Sequence, residues 1–182
     1  MPEQGNDASA AGVVDRTIDL IERPRVAEGL LLVAMLLSGI LVLWFGRDTT
    51  FSGDEMVLIV ASPGIDLHTA LQTHGGHLLL FPRAVYKVML ELFGLAYLPY
   101  RVLTLVTLWV TVGLLFVWMA RRVGRTVALA PCLVLLVFGS DHLHVLRGNG
   151  FIILLSIACG IAALLALERG DRRGDIAAAA LL

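Results

Sequence analysis

The chain has 182 residues and a net charge of -1, with 58% hydrophobic and 16% charged residues and a mean hydropathy of +0.84. A soluble domain of this length carries more charge to keep its surface wet, so the composition argues against an ordinary globular enzyme and predicts an integral membrane protein. The near-neutral balance gives nucleic-acid binding no support.

Met1 to Gly12 is small and polar and reads as disordered. Val13 to Arg25 predicts a short amphipathic helix on the cytoplasmic membrane surface, which Pro24 ends or lets turn. Residues 1–27 thus form a cytoplasmic tail and residues 28–182 a transmembrane domain. The first span is expected over Gly29–Gly46, where 18 residues rise roughly 27 Å, about one bilayer core. Trp44 and Phe45 suit an aromatic belt at its far end. No small-residue cleavage site follows, so it is not read as a signal peptide.

Residues 47–100 form a long outer loop. Asp54-Glu55 precedes the apolar Met56-Val57-Leu58-Ile59-Val60, and Ser52-Gly-Asp-Glu55 matches a capping box. Ser62-Pro63-Gly64 breaks this segment; a short helix is expected over Asp66–Thr73 and a hinge or helix start at Gly75-Gly76. An interfacial amphipathic helix follows. Phe81, Ala84, Val85, Val88, Met89 and Leu92 line its apolar face, and Arg83, Lys87 and Glu91 form a stripe expected to face water.

The second span is expected over Val102–Ala120, with Tyr97 and Tyr100 at its outer end and Trp118 at its inner end. The third, Thr126–Ser140, contains Pro131 and is short for a crossing, at roughly 22 Å. A polar link, Asp141–Asn149, leads to a fourth span over Gly150–Leu167. The closing run Ile176-Ala-Ala-Ala-Ala-Leu-Leu182 reads as the start of a fifth span, so the chain reads as a fragment of a larger protein or a shortened product. The fold class is all-α: a polytopic helical membrane protein with four full transmembrane helices, the start of a fifth, and the long outer loop.

Arginines set the orientation. Arg16, Arg23, Arg25, Arg121, Arg122, Arg125, Arg169, Arg172 and Arg173 fall on one side, which the positive-inside rule makes cytoplasmic. The N-terminus is then inside, in the cell (inner) membrane. Asp54, Glu55, Asp141 and all five histidines lie outside.

Asp54 is a candidate general base for an acceptor hydroxyl, with Glu55 beside it and Asp141 as a second acid; the plainer reading of Asp54 and Glu55 is a helix cap. His74, His77, His142 and His144, with Asp141, have spacings that suit zinc or manganese, but no H-E-x-x-H signature is present and loop histidines are the plainer reading. A divalent metal is thus a candidate cofactor, and no cofactor is demanded. Arg83 and Arg101 are candidate phosphate ligands, weighed against interfacial snorkelling. Arg101 sits just inside the apolar boundary, where an unpaired charge costs most. Cys132 and Cys159 fall in apolar runs and read as small buried side chains.

One span, an outer loop opening on Phe51-Ser-Gly-Asp-Glu55, then His74-Gly-Gly-His-Leu-Leu-Leu-Phe-Pro-Arg83 and Leu98-Pro-Tyr-Arg101, and a cytoplasmic Glu168-Arg-Gly-Asp-Arg-Arg-Gly-Asp175 resemble the GT-C superfamily of membrane glycosyltransferases. The likeness is to protein O-mannosyltransferases, aminoarabinose transferases and their bacterial relatives, over Gly29 to Leu182. It implies sugar transfer from a polyprenyl-phosphate donor to an acceptor on the extracytoplasmic side. Asp54 and Glu55 would be the first-loop acids, Asp141 the second acid, and Arg83 and Arg101 the holders of donor phosphate. The family has more spans than this chain. A non-catalytic multi-pass subunit from a truncated gene is the alternative, and a metal-handling or transport protein ranks below it.

Overall fold

The computed structural model describes residues 24–61, 73–74, 77–78, 80–138 and 148–182. Their regular structure is seven α-helices, one 3-10 turn (Gly148–Gly150) and one two-residue antiparallel ladder. The helices are α1 (Pro24–Phe45), α2 (Asp54–Ala61), α3 (Leu80–Phe93), α4 (Tyr97–Val123), α5 (Arg125–Phe138), α6 (Phe151–Leu167) and α7 (Arg172–Leu181). The ladder pairs β1 (Thr73–His74) with β2 (His77–Leu78). The helix expected over Asp66–Thr73 lies outside the described residues except for Thr73, which is in a strand. Gly75-Gly76 also lies outside them.

Two helices, α1 and α4, are long and apolar enough to cross a membrane by length and composition. α5 and α6 are apolar but shorter, with 14 and 17 residues. The four-span expectation is thus met in helix order but in length only for the first and second spans. α7 begins at Arg172, earlier than the Ile176 start read from the apolar run. Its first turn is hydrophilic, but Asp171 caps it by accepting from the Gly174 N–H at 2.7 Å.

Ion pairs and hydrogen bonds fix the helix directions. Arg125, opening α5, pairs with Glu28 in the first turns of α1 at 2.7 Å, and Arg122, ending α4, pairs with Glu168 beyond α6 at 2.7 Å. At the other end, Thr104 of α4 donates to the Gly148 carbonyl just before α6 at 3.0 Å. α4 and α6 therefore run parallel, and α1 and α5 run against them. Gly124 makes the α4–α5 reversal at φ 86°, a backbone region that a side chain disfavours. α7 folds back on α6 so tightly that a Cβ on Gly174 would lie 2.3 Å from the Ala166 carbonyl oxygen.

α4 is the central helix and buries two faces. Leu105, Leu108, Val112 and Phe116 join Ala27 and Leu31 of α1 and Ala128, Leu129, Cys132 and Leu136 of α5 in the main core. α1 crosses α4 closely at Gly39, where a Cβ would lie 2.6 Å from the Trp109 ring. The second face is a threonine ladder toward α6. Thr104, Thr107 and Thr111 each donate to a carbonyl one turn back, and Thr111 also donates across to the Leu154 carbonyl at 3.0 Å. In an apolar bundle a hydroxyl such as that of Thr111 can bond to a neighbouring helix as well as back to its own. Beyond Arg25 and Glu28 in its first turns, the outward face of α1 is apolar, with Leu32, Leu36, Ile40 and Trp44 more than half exposed.

Thr111→Val keeps the side-chain shape and deletes the bond to α6. Thermal unfolding in detergent should show a loss of about 0.6 kcal/mol. Unchanged stability would mean the ladder does not join the two helices.

Candidate functional site

At the end of the bundle where α1 finishes and α4 and α6 begin, the loop after α1 leads into α2 through Gly53. Its φ of 54° turns the chain so that Asp54 and Glu55 open the helix. These two adjacent acids then diverge, because successive helix residues point about 100° apart. Asp54 is exposed, and Glu55 is fully buried.

The Glu55 carboxylate is held from several sides. The Ser52 N–H donates to Oε2 at 3.1 Å, which is the glutamate half of the expected capping box. The Tyr97 hydroxyl, on the first residue of α4, donates to Oε1 at 3.2 Å and lies 3.4 Å from Oε2. That same hydroxyl accepts the Gly148 N–H at 3.0 Å. Gly148 in turn leaves no room for a side chain: a Cβ there would lie 2.9 Å from both Glu55 Oε1 and Tyr100 Cβ. One phenol thus links the loop acid, the start of α4 and the turn entering α6.

An apolar and aromatic shell closes over this cluster. Leu58, Tyr86, Tyr100 and Phe151 are buried together, with Phe51 edge-on to Tyr97 and Tyr100 at centroid distances of 4.7 and 5.0 Å. Tyr100 anchors itself by donating to the Gly94 carbonyl at 3.1 Å. The Tyr86 hydroxyl is buried without a hydrogen-bond partner among the described residues. Burial pushes its phenol well above the ordinary value of 10.0, and the Glu55 charge adds to that. The sequence reading missed Tyr86, Tyr97 and Gly148. At the end of an apolar run Tyr97 reads as part of an aromatic belt, and a lone tyrosine inside an amphipathic helix gives no signal of its own.

Two arginines accompany the acids. Arg101 is 3% exposed. Its Nη2 donates to the Thr49 carbonyl at 3.3 Å and to the Thr49 hydroxyl, and its guanidinium stacks over Tyr97 at 4.9 Å. It fits only because residue 46 is glycine: a Cβ there would lie 2.7 Å from Arg101 Nε. That Nε is buried without a hydrogen-bond partner among the described residues. Arg83 corrects the expected water-facing stripe of α3. It is buried, 6% exposed, on the face that carries Tyr86, while Lys87 is half-buried and Glu91 exposed. The apolar face divides as well: Val85 and Met89 pack on the aromatic shell, and Phe81, Val88 and Leu92 point outward.

Asp141, His142 and His144 lie outside the described residues, as does His68. The backbones of His74 and His77 are paired in the ladder. Among the described residues no three His, Cys, Asp or Glu side chains come together as a metal site. Cys132 and Cys159 are free, Cys132 buried and Cys159 half-buried.

The arrangement presents one exposed carboxylate at a helix start next to a buried one, with two buried arginines, Arg83 and Arg101, on neighbouring helices. An exposed acid on such a rigid base can accept a proton, and guanidinium groups can bind phosphate oxygens. No family model, curated protein or solved structure matches the chain.

Tyr97→Phe removes the shared hydroxyl and leaves the Gly148 N–H and the Glu55 carboxylate each short of a partner. Denaturant unfolding in detergent should register about 1–3 kcal/mol of lost stability, and wild-type stability would mean the hydroxyl is idle. Tyr86 gives a pH test. The folded state keeps the phenol neutral, whereas the unfolded chain releases the proton above about pH 10, so stability falls as pH rises past that value. In an alkaline titration followed by tyrosinate absorbance, Tyr86 should ionise only with unfolding, and Tyr86→Phe should reduce the unfolding-linked absorbance, to which the half-buried Tyr97 and the buried Tyr100 still contribute. Ionisation of Tyr86 in the folded protein near its ordinary value would contradict this burial.

Proposed function

We propose that the chain is a polytopic membrane glycosyltransferase, or the N-terminal part of one. It transfers a sugar from a polyprenyl-phosphate donor to an acceptor on the extracytoplasmic side. The observation that carries this reading is the split of the acidic pair: Asp54 is exposed at the start of α2 while Glu55 is buried beneath it. Two buried arginines, Arg83 and Arg101, lie on the neighbouring helices.

In this reading α1, α4, α5 and α6 cross the bilayer in alternating directions, with α7 starting a fifth crossing. The apolar outward faces of these helices meet lipid rather than water. The N-terminus is cytoplasmic because the end rich in arginines stays inside. Asp54 takes the proton of the acceptor hydroxyl as it attacks the anomeric carbon, and the bond to the lipid phosphate breaks. The departing phosphate gains negative charge, which Arg101 and Arg83 stabilise. Asp141, seven positions before Gly148 in sequence, is the second acid of this reading.

A second reading has a specific observation in its favour. Ser52, Tyr97 and Gly148 engage Glu55 in packing, which is also what a non-catalytic membrane subunit would need.

Replacing the gene with Asp54→Asn in cells separates the two. The transferase reading expects loss of the same surface glycan that deletion removes, at least about 100-fold, with membrane insertion unchanged. Full glycan in the Asp54→Asn strain would eliminate Asp54 as base, and no glycan change on deletion would favour the subunit.

A further inference from the structure

The end of the bundle opposite the acidic site holds a cluster of arginines that its own acids do not neutralise. Glu168 is shared by Arg121 and Arg122 at 3.5 and 2.7 Å, and Glu28 is taken by Arg125. Asp171 caps α7 and lies 3.8 Å from Arg169, and Asp175, exposed in the first turn of α7, makes no ion pair among the described residues. Arg25, Arg172 and Arg173 have no ion-pair partner among the described residues. Arg172 and Arg173 are both exposed, and they open α7, where the helix dipole repels cations. Their position is therefore not explained by the helix that carries them.

The apolar surface beside them identifies the partner. α7 turns Gly174 and Ala178 onto α6, so these two are buried. Ile176 is 61% exposed and lies one turn beyond Arg172 and Arg173 on their side of the helix. Val117 of α4, 41% exposed, likewise lies one turn before Arg121. Arg122 stacks on Trp118 at 4.5 Å. Charge at the rim with aliphatic side chains one turn inward matches a phospholipid, whose phosphate sits above its acyl chains. A soluble polyanion would meet the charge but not the aliphatic side chains.

We infer that this end, with Arg172 and Arg173 at its centre, is a docking surface for anionic phospholipid headgroups, and that it selects them over zwitterionic ones. The inference rests on the membrane reading above. It adds lipid selection at a named place, on the face opposite the proposed chemistry.

The test uses the full chain reconstituted in vesicles of equal phosphatidylglycerol and phosphatidylcholine. The protein is extracted in mild detergent and its co-purifying phospholipids are measured. Phosphatidylglycerol should exceed phosphatidylcholine about tenfold in the wild type. Arg172→Gln/Arg173→Gln should bring the ratio to within about twofold of equality. Arg47→Gln, an exposed arginine at the other end of the bundle, should leave it unchanged. Equal retention of both lipids by the wild type, or an unaltered ratio in the double variant, would overturn the inference. Release of the chain from membranes by alkaline carbonate would instead sink the membrane reading beneath it.

Discussion

A carboxylate with no solvent exposure is the constraint around which the acidic end is organised. Burying Glu55 unpaired would cost several kcal/mol. The fold answers with donors from separate parts of the chain: Ser52 beside it, Tyr97 at the start of α4, and Gly148 acting through the Tyr97 hydroxyl. The aromatic shell keeps water out, and a drier site strengthens each of these bonds. α2 has eight residues, too few to be stable alone, so its position is set by this anchor and by Leu58. Asp54 inherits its outward direction from the inward direction of its neighbour.

The two ends of the bundle are built differently. α4 has 27 residues and separates them by about 40 Å. At the acidic end the ties are hydrogen bonds and aromatic contacts among buried groups. At the other end they are ion pairs on largely exposed arginines, which are individually weak. The threonine ladder carries the order of the first end into the bundle, since Thr104 bonds the same Gly148 that meets Tyr97. A rigid end suits chemistry that needs held geometry, and a solvated cationic end suits a headgroup layer.

Much of the helix order was legible because long apolar runs between arginine clusters have one economical reading. α1, α4 and α6 fall within a few residues of where the runs place them. Side-chain direction in the loop helices was less legible. The pattern of α3 offers an apolar face and a basic stripe, and two-sided reasoning sends the stripe to water. α3 in fact has a third neighbour, the buried Glu55 cluster, and Arg83 and Tyr86 turn toward it. The threonines at 104, 107 and 111 read as mild interruptions of an apolar run. Only the position of α6 shows that Thr104 and Thr111 bond across to it. The acidic pair was found from sequence, but the division between an exposed Asp54 and a buried Glu55 needed Tyr97 and Gly148, which lie 42 and 93 positions further along.

The functional account holds only if the outward-pointing acid faces the extracytoplasmic space. Labelling of Asp54→Cys in intact cells by a membrane-impermeant maleimide, with Cys132 and Cys159 replaced by alanine, measures this directly. The account predicts rapid labelling from outside without permeabilisation. Labelling that appears only after the membrane is opened would place the acid on the wrong side and contradict it.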